Sequence, residues 1–192
     1  GKPVYVEKPV TLNSGSCQNM IKAAKNYNLP VSVAHYRRGL AMFNKVKEVI
    51  ESGELGKILF VSINLWQAPQ NKLIANSDEF WRVNPAISGG GLFHDLAPHQ
   101  LDLMYWYFGK PVHAKGFSTN QGGLYHAPDH TTLSVHFEKN ILLQGTWSFN
   151  VHSSAEKETC EIVGEAGKLV FSFFRNHVLE IHTKKKIKRI QF

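Results

Sequence analysis

Short apolar runs and one amphipathic stretch alternate in the first 35 residues. The β-rich run Pro3–Glu7 ends at Lys8-Pro9, and a second run extends from Val31 to His35. Between them, apolar residues recur with helical spacing from Ser14, a good N-cap residue, to about residue 27. Strand, helix and strand in this order predict a parallel pair of strands. Open α/β sheets bind their ligands at the carboxyl ends of such strands.

The rest of the chain changes from helical to strand periodicity. A helix is predicted from about Ala41 to Glu51, with Gly53 as its terminator. After Lys57, strands are predicted at 58–67, 112–120, 130–138, 141–152, 158–164, 168–174 and 178–190, with tight turns at Asn140 and at 165–167. Partial alternation between residues 135 and 148 indicates that one face of this sheet is buried and the other solvated. The pattern predicts an α+β domain with a large, mainly antiparallel open sheet, placed after a parallel α/β unit.

The run from Gly89 to Asp102 carries the most informative chemistry. Three glycines lead into a stretch that is apolar almost all round, which predicts a loop followed by a largely buried helix. Asp95 and His99 lie four residues apart and therefore on one face, where a carboxylate beside an imidazole is a plausible proton-transfer pair. A surface hydrogen-bonded pair is the competing interpretation, but buried ionisable groups normally have a partner or a task. Because Pro98 is tolerated in a first helical turn, the helix is predicted to begin near Asp95.

Composition and charge argue against several classes of protein. The chain has 43% hydrophobic residues, including 12 Phe and 4 Trp, which is enough for a packed core. No apolar run is long enough to cross a bilayer. The net charge is +7, but five of the 22 basic residues lie within 184–189, and without them 17 basic residues face 15 acidic ones. This concentration is typical of a solvated edge strand and argues against a nucleic-acid-binding face.

The two cysteines, Cys17 and Cys160, are too few and too far apart for a disulfide framework or a zinc site. They favour a reducing compartment, and a cytoplasmic protein is expected.

Several short motifs together resemble one family. Glu7-Lys8-Pro9 closes the first strand, Tyr36-Arg37-Arg38 follows the second, Trp81-Arg82 comes next, and Gly89–Gly91 leads into Asp95 and His99. In this order and spacing they resemble the glucose–fructose oxidoreductase / inositol dehydrogenase (Gfo/Idh/MocA) family. The resemblance implies an oxidoreductase that transfers a hydride between NAD or NADP and a sugar, polyol or related hydroxy compound.

The resemblance also implies a domain organisation. Residues 1–36 would be the C-terminal part of a dinucleotide-binding (Rossmann) domain, and residues 37–192 an α+β domain for substrate binding and oligomerisation. The protein would be a homo-oligomer, either a dimer or a tetramer.

The same resemblance assigns residues to the site. Lys8, Asp95 and His99 are implied as the catalytic residues. His99 would be the base that takes the hydroxyl proton, and Lys8 would stabilise the developing alkoxide. The implied cofactor-binding residues are Glu7, Lys8, Pro9, Arg37, Trp81 and Arg82. The implied substrate-binding residues are Lys8, Tyr36, Asp95, His99 and His152. Arg37 and Arg82 are equally compatible with surface ion pairs, and Tyr36 and His152 with packing.

One family landmark is missing. The phosphate-binding pattern Gly-x-Gly-x-x-Gly occurs nowhere in the sequence, and Gly89–Gly91 does not supply it because residue 94 is His. The chain is therefore expected to be a fragment that lacks the first part of the cofactor domain and is inactive alone. Two other functions stay open: a non-catalytic binding or oligomerisation relative of the same family, and a metal-dependent hydrolase. The second would use His126, Asp129 and His130, which lack a third-ligand context, so no metal is expected.

Overall fold

The computed structural model describes residues 1–69 and 80–192. Strand β1 (Val4–Val6), helix α1 (Ser14–Asn26) and strand β2 (Val31–Val33) form the predicted first unit, and β1 and β2 pair in parallel. Asn13, not Ser14, caps α1, because its side chain accepts a hydrogen bond from the backbone N–H of Ser16 at 2.9 Å. A 3-10 turn over Tyr36–Gly39 follows β2, which ends at Val33 and not at His35.

The remaining described elements build one large sheet and the helices that cover it. The helices are α2 (Ala41–Glu51), α3 (Pro85–Ser88) and α4 (Gly91–Phe108). The strands are β3 (Ile58–Trp66), β4 (Pro111–Thr119), β5 (His130–Phe137), β6 (Ile141–Ser148), β7 (Lys157–Gly164), β8 (Gly167–Phe171), β9 (Val178–Thr183) and β10 (Ile187–Gln191). Their order in the sheet is β10-β9-β8-β7-β3-β6-β5-β4, with β3 and β6 parallel and the other described neighbours antiparallel. The predicted fold class is confirmed.

The core lies between α2, α4 and one face of the sheet. Fully buried side chains come from both helices and from the inward positions of the strands: Phe43, Val46, Leu103, Met104, Ile63, Leu143 and Ile162. Trp147 of β6 donates its indole N–H to the side-chain oxygen of Gln100 in α4 at 2.5 Å, and both residues are fully buried. This bond fixes α4 on the centre of the sheet, since a buried polar group needs its partner. Among the described residues, no helix is both long and apolar enough to span a bilayer.

Three strand predictions were wrong in extent. The strand predicted over 168–174 ends at Phe171. Residues 178–190 form two strands, because the Thr183 N–H donates to the carbonyl of Lys186 at 3.0 Å and closes a hairpin. The intervening Lys184–Lys186 contain no Gly, Asn or Pro, so nothing in the sequence marked this turn. The second strand, β10, is an edge of the sheet, as expected for the basic segment. The strand predicted over 141–152 ends at Ser148.

The start predicted for α4 was also wrong. The helix begins at Gly91, so Pro98 lies inside it and not in its first turn. A proline ring crowds the carbonyl four residues earlier and removes one N–H from the helix. In the same turn, the Lys8 ammonium donates to the backbone carbonyl of Asp95 at 2.6 Å and gives that carbonyl a partner from outside the helix. Burial of Leu92, Ala97 and Leu103 on several sides holds the helix in place through this irregularity.

Gly91 is required by its conformation and its surroundings, and this gives a first prediction. Its φ is +71°, and a Cβ there would lie 2.6 Å from the Cβ of Ala127. We expect Gly91→Ala to lower the free energy of unfolding by roughly 1–3 kcal/mol. Gly39→Ala is the matched control, because a Cβ at Gly39 meets nothing within 4 Å. Urea denaturation of both variants checks the prediction, and equal stabilities would contradict it.

Candidate active site

The site forms where β1 and β2 end beside α4. Because the two strands are parallel neighbours, their carboxyl ends lie at one edge. Lys8 follows β1, and the turn Tyr36–Gly39 follows β2. Arg38 in this turn makes a two-pronged ion pair with Asp102 of α4, with Nε to Oδ2 at 2.8 Å and Nη2 to Oδ1 at 2.6 Å. This pair attaches the first unit to the helix that carries Asp95 and His99.

The carboxylate of Asp95 is held by two cations. Lys8 Nζ donates to Oδ1 at 2.6 Å, and Arg82 Nε donates to Oδ2 at 3.1 Å. The side chains of Lys8 and Asp95 are only 10% and 15% exposed, whereas that of Arg82 is 44% exposed. The Lys8–Asp95 pair is therefore largely buried. A buried charge without a partner would cost free energy.

His99 lies in an aromatic enclosure and is 8% exposed. The Tyr36 ring meets the imidazole edge-on at a centroid distance of 5.8 Å, and the Phe174 ring does the same at 6.0 Å. The His99 Nδ1 atom is buried without a hydrogen-bond partner in the described part of the chain. In the described residues the predicted proton-transfer pair is not joined by a hydrogen bond, because the two carboxylate oxygens of Asp95 bind Lys8 and Arg82.

The environment keeps the His99 imidazole neutral. Burial, together with the positive charges of Lys8 and Arg37, lowers the pKa of His99 from 6.5 to about 4, and His35 acts in the same direction. The charge of Asp95 opposes this shift. A neutral imidazole can accept a proton, so His99 is ready to act as a base at any pH above about 4.

The shifted pKa of His99 gives a second prediction, on stability. The pKa of His99 is about 4 in the folded chain and 6.5 in the unfolded chain. Between these pH values the unfolded chain therefore binds more protons. The contribution of His99 to the free energy of unfolding is thus greatest above pH 6.5, and it falls by roughly 3 kcal/mol as the pH drops to about 4. We expect His99→Gln to lose this part of the pH dependence. Urea denaturation of both chains across the range measures it, and identical pH profiles would contradict it.

The other predicted site residues lie in different surroundings. Arg37 donates through Nη1 to the carbonyl of Phe173 at 2.7 Å, and its guanidinium lies over the rings of Tyr36 and Phe174. Trp81 is 41% exposed, with the Arg82 guanidinium carbon 4.5 Å from its ring centroid. Their roles toward a cofactor stay predictions.

Three further predicted site residues have other local surroundings. Glu7 is exposed, and Pro9 is partly buried beside Lys8. His152 is exposed and accepts a hydrogen bond from the Ser154 N–H at 3.3 Å, so its side chain caps the local turn Ser153–Ala155. Its predicted role in substrate binding stays a prediction.

Sequence reasoning missed Phe174, whose ring meets the His99 imidazole, and Glu158, which binds the turn that carries Phe174. Glu158 accepts hydrogen bonds from the backbone N–H groups of Phe173 and Phe174, both at 2.7 Å. A signal for Glu158 was present, because it shares an inward register of β7 with the buried Cys160 and Ile162. Phe174 follows the end of β8, and its position beside His99 had no signal in the spacing.

Asp129, which lies between His126 and His130 in the sequence, has a structural role. Asp129 is 1% exposed and accepts hydrogen bonds from the N–H groups of Gln121 and Gly122, at 2.9 and 2.7 Å, and from the Asn150 amide at 3.2 Å. Within residues 1–69 and 80–192, no three His, Cys, Asp or Glu side chains gather closely enough to hold a metal ion.

Comparison with known proteins identifies the family. The family model described as the GFO/IDH/MocA C-terminal domain matches residues 43–170. This chain belongs to the GFO/IDH/MocA family. The family resemblance read from its motifs is confirmed.

Individual relatives agree with this membership. The chain is 39% identical over 178 residues to Oxidoreductase P35 of Formosa agariphila, covering 93% of this chain and 54% of that protein. An inositol dehydrogenase homolog from Azotobacter vinelandii, solved with NAD+, superposes with a TM-score of 0.85 at 17% identity, over 98% of this chain and 50% of that one. A levoglucosan dehydrogenase, solved with NADH and L-sorbose, gives 0.81 at 23% identity, over 100% and 55%. These structures share the fold, and the chain spans about half the length of the relatives that it matches.

Proposed function

We propose that this chain carries the acid–base and substrate-binding residues of an NAD- or NADP-dependent oxidoreductase acting on a CH–OH group of a sugar, a polyol or a related hydroxy compound. The observation that supports this most strongly is the cluster of Lys8, Asp95 and His99. A buried ammonium there holds a carboxylate beside an imidazole that is neutral above about pH 4. The inositol dehydrogenase homolog solved with NAD+ and the levoglucosan dehydrogenase solved with NADH and L-sorbose support the same class of reaction.

The three side chains divide the work as the chemistry of alcohol oxidation requires. Neutral His99 takes the hydroxyl proton of the substrate, because its folded environment keeps a nitrogen lone pair available. Lys8 places a positive charge where negative charge develops on the substrate oxygen. Asp95 holds the Lys8 ammonium through two bonds, to its carbonyl and to its carboxylate. In the reverse direction, the same groups return the proton to a carbonyl oxygen.

The residues present fit the nicotinamide end of a dinucleotide. A nicotinamide held there would supply the acceptor for the hydride that leaves the substrate carbon. Trp81 offers an exposed aromatic face next to Arg82, and Arg82 binds the same carboxylate as Lys8. Glu7 and Pro9 flank Lys8 in the sequence, and Arg37 follows Tyr36. The diphosphate needs a glycine-rich loop at a helix N-terminus, a pattern that this sequence does not contain.

Dehydrogenase assays of the whole enzyme test the proposal. Each member of a panel of sugars and polyols is offered with NAD+ and with NADP+, and reduction of the nicotinamide is followed by absorbance. We expect turnover with at least one member, and loss of that turnover in Lys8→Met. A whole enzyme that binds a sugar without any turnover would instead favour the non-catalytic binding relative.

Assembly through the outer face of the sheet is a third prediction. On that face Phe60 of β3 and Leu142 of β6 lie opposite each other, 46% and 55% exposed, and Phe117 of β4 is 68% exposed. We propose a homo-oligomer, a dimer or a tetramer, in which this face is covered. Sedimentation at roughly tens of micromolar is expected to show association. Leu142→Lys should weaken it, and a monomeric wild type would contradict the proposal.

We also propose a cytoplasmic location. Cys17 and Cys160 are both free thiols, which is the usual state in a reducing compartment.

A further inference from the structure

The turn after β8 is held from both sides. Glu158 Oε1 accepts the N–H groups of Phe173 and Phe174, each at 2.7 Å. From the other side, Arg37 Nη1 donates to the carbonyl of Phe173 at 2.7 Å. Within the turn, the Arg175 N–H donates to the Ser172 hydroxyl at 3.0 Å. A short connection between two strands is thus tied to β7 and to the 3-10 turn that follows β2.

This turn forms part of the wall around the predicted base. Phe174 meets the His99 imidazole edge-on at 6.0 Å, and Tyr36 meets it at 5.8 Å. The Arg37 guanidinium carbon lies 4.6 Å from the Phe174 centroid and 5.3 Å from that of Tyr36. Arg37 therefore touches both rings that flank the imidazole, and it also binds the turn that carries one of them.

The side chains of Arg37 and Glu158 each have a buried polar atom. Arg37 Nε and Glu158 Oε2 are buried without hydrogen-bond partners in the described part of the chain. Burial lowers the pKa of Arg37, and the negative charge of Glu158 opposes that shift. Leaving buried polar atoms unsatisfied costs free energy. The other polar atoms of the same two side chains hold the turn. The position of Phe174 is therefore kept even though these two atoms stay unpaired.

We propose that Glu158 and Arg37 are positioning residues that act through Phe174: they fix the turn 172–175 so that the Phe174 ring holds the His99 imidazole and keeps water from it. The proposal rests on the proposed role of His99 as the base. Neither residue need touch the substrate for this purpose. Their effect is to set the orientation and hydration of the group that does.

The direction in which the pKa of His99 shifts when Glu158 is replaced distinguishes a positioning role from a direct effect of its charge. The charged and titratable groups that act on His99 are Lys8, Arg37, His35 and Asp95. Loss of the negative charge of Glu158 would, as a charge effect, lower the pKa of His99. Loosening of the turn admits water and raises that pKa toward 6.5. The two causes therefore move the titration in opposite directions.

Titration of the histidine ring C–H signals by NMR, on this 192-residue chain, is the test. His99→Gln identifies the His99 signal. We expect Glu158→Ala and Phe174→Ala each to raise the pKa of His99 by about 1 or more, and Glu158→Gln to restore the wild-type value or lower it, since its amide oxygen can still accept the two N–H groups. Glu161→Ala, on the opposite face of β7 and paired with Lys168, is the matched control and should change nothing.

Unchanged His99 titration in Phe174→Ala and in Glu158→Ala would overturn the positioning role. Should Glu158→Ala fail to fold, Phe174→Ala and Phe174→Leu carry the test, with circular dichroism confirming their structure: both should raise the pKa of His99, and Phe174→Ala by more. Turnover of the whole enzyme separates the two proposals. If the titration moves but His99→Asn keeps its activity, the positioning stands and His99 is not the base. If His99→Asn is inactive and the titration does not move, the positioning alone falls.

Discussion

Replacing His99 by Asn is expected to lower the turnover of alcohol oxidation in the whole enzyme by about 10²–10⁴-fold. Asparagine keeps polar atoms and a similar size, but it offers no group that accepts a proton near neutral pH. The substrate Kd should change far less, because the lost interaction matters mainly in the transition state. Steady-state and single-turnover kinetics separate these effects.

The pH profile adds an independent readout. Only neutral His99 accepts a proton, and its pKa is lowered to about 4 by burial and by the charges of Lys8 and Arg37. The activity of the wild type should therefore rise through pH 4 and be level at neutral pH, and His99→Asn should lose this limb. His113→Asn makes the same chemical change on the exposed strand β4 and is the control. Near wild-type turnover in His99→Asn would show that the residue is structural.

The sequence identified the right elements but not all of the contacts between them. Spacing placed Asp95 and His99 on one helical face, and apolar flanks predicted their burial, which the structure confirms for His99 at 8% exposure. Spacing along one helix cannot show that a residue 87 positions away takes the carboxylate. Lys8 does so because parallel pairing of β1 and β2 brings its strand end to α4.

Two misjudged features have local physical causes. Pro98 was placed in a first turn because a proline inside a helix normally costs free energy. Here the burial of α4 on several sides offsets this cost. The split between β9 and β10 lacked turn residues, and the hairpin closes on a backbone hydrogen bond between Thr183 and Lys186. The pattern of apolar positions does not predict a backbone hydrogen bond of this kind.

The sequence pattern does predict that Glu158 lies in an inward position and needs a partner. An acidic residue in an otherwise apolar inward register of a central strand is seldom buried without a partner. Its two N–H partners come from a turn 15 and 16 residues later, so the register could predict that Glu158 needed a partner but not which one. The same limit applies to Arg38 and Asp102, whose two-pronged pair joins segments 64 residues apart.

Replacing Lys8 by Met is expected to reduce turnover of the whole enzyme by about 10²–10³-fold, the usual cost of losing one donor at a developing oxyanion. Methionine preserves the apolar stem of the side chain but removes the charge and both bonds to Asp95. The loss should fall on kcat more than on the substrate Kd. Lys8→Arg keeps the positive charge but changes its geometry, so we expect an intermediate loss. Asp95→Asn, which leaves the Lys8 charge in place, should be milder than Lys8→Met.

The same variant carries a second, signed prediction. Because the charge of Lys8 lowers the pKa of His99, its removal should raise that pKa from about 4 toward 6.5. The acid limb of the pH profile of kcat/KM therefore moves to higher pH in Lys8→Met, while Lys8→Arg keeps it near the wild-type position. Arg82→Gln is the control for the carboxylate, because it removes the more exposed partner of Asp95 and leaves Lys8 bound. An acid limb that stays in place when turnover falls would mean that Lys8 acts on the substrate without acting on His99. Unchanged turnover in Lys8→Met would remove Lys8 from the proposed mechanism.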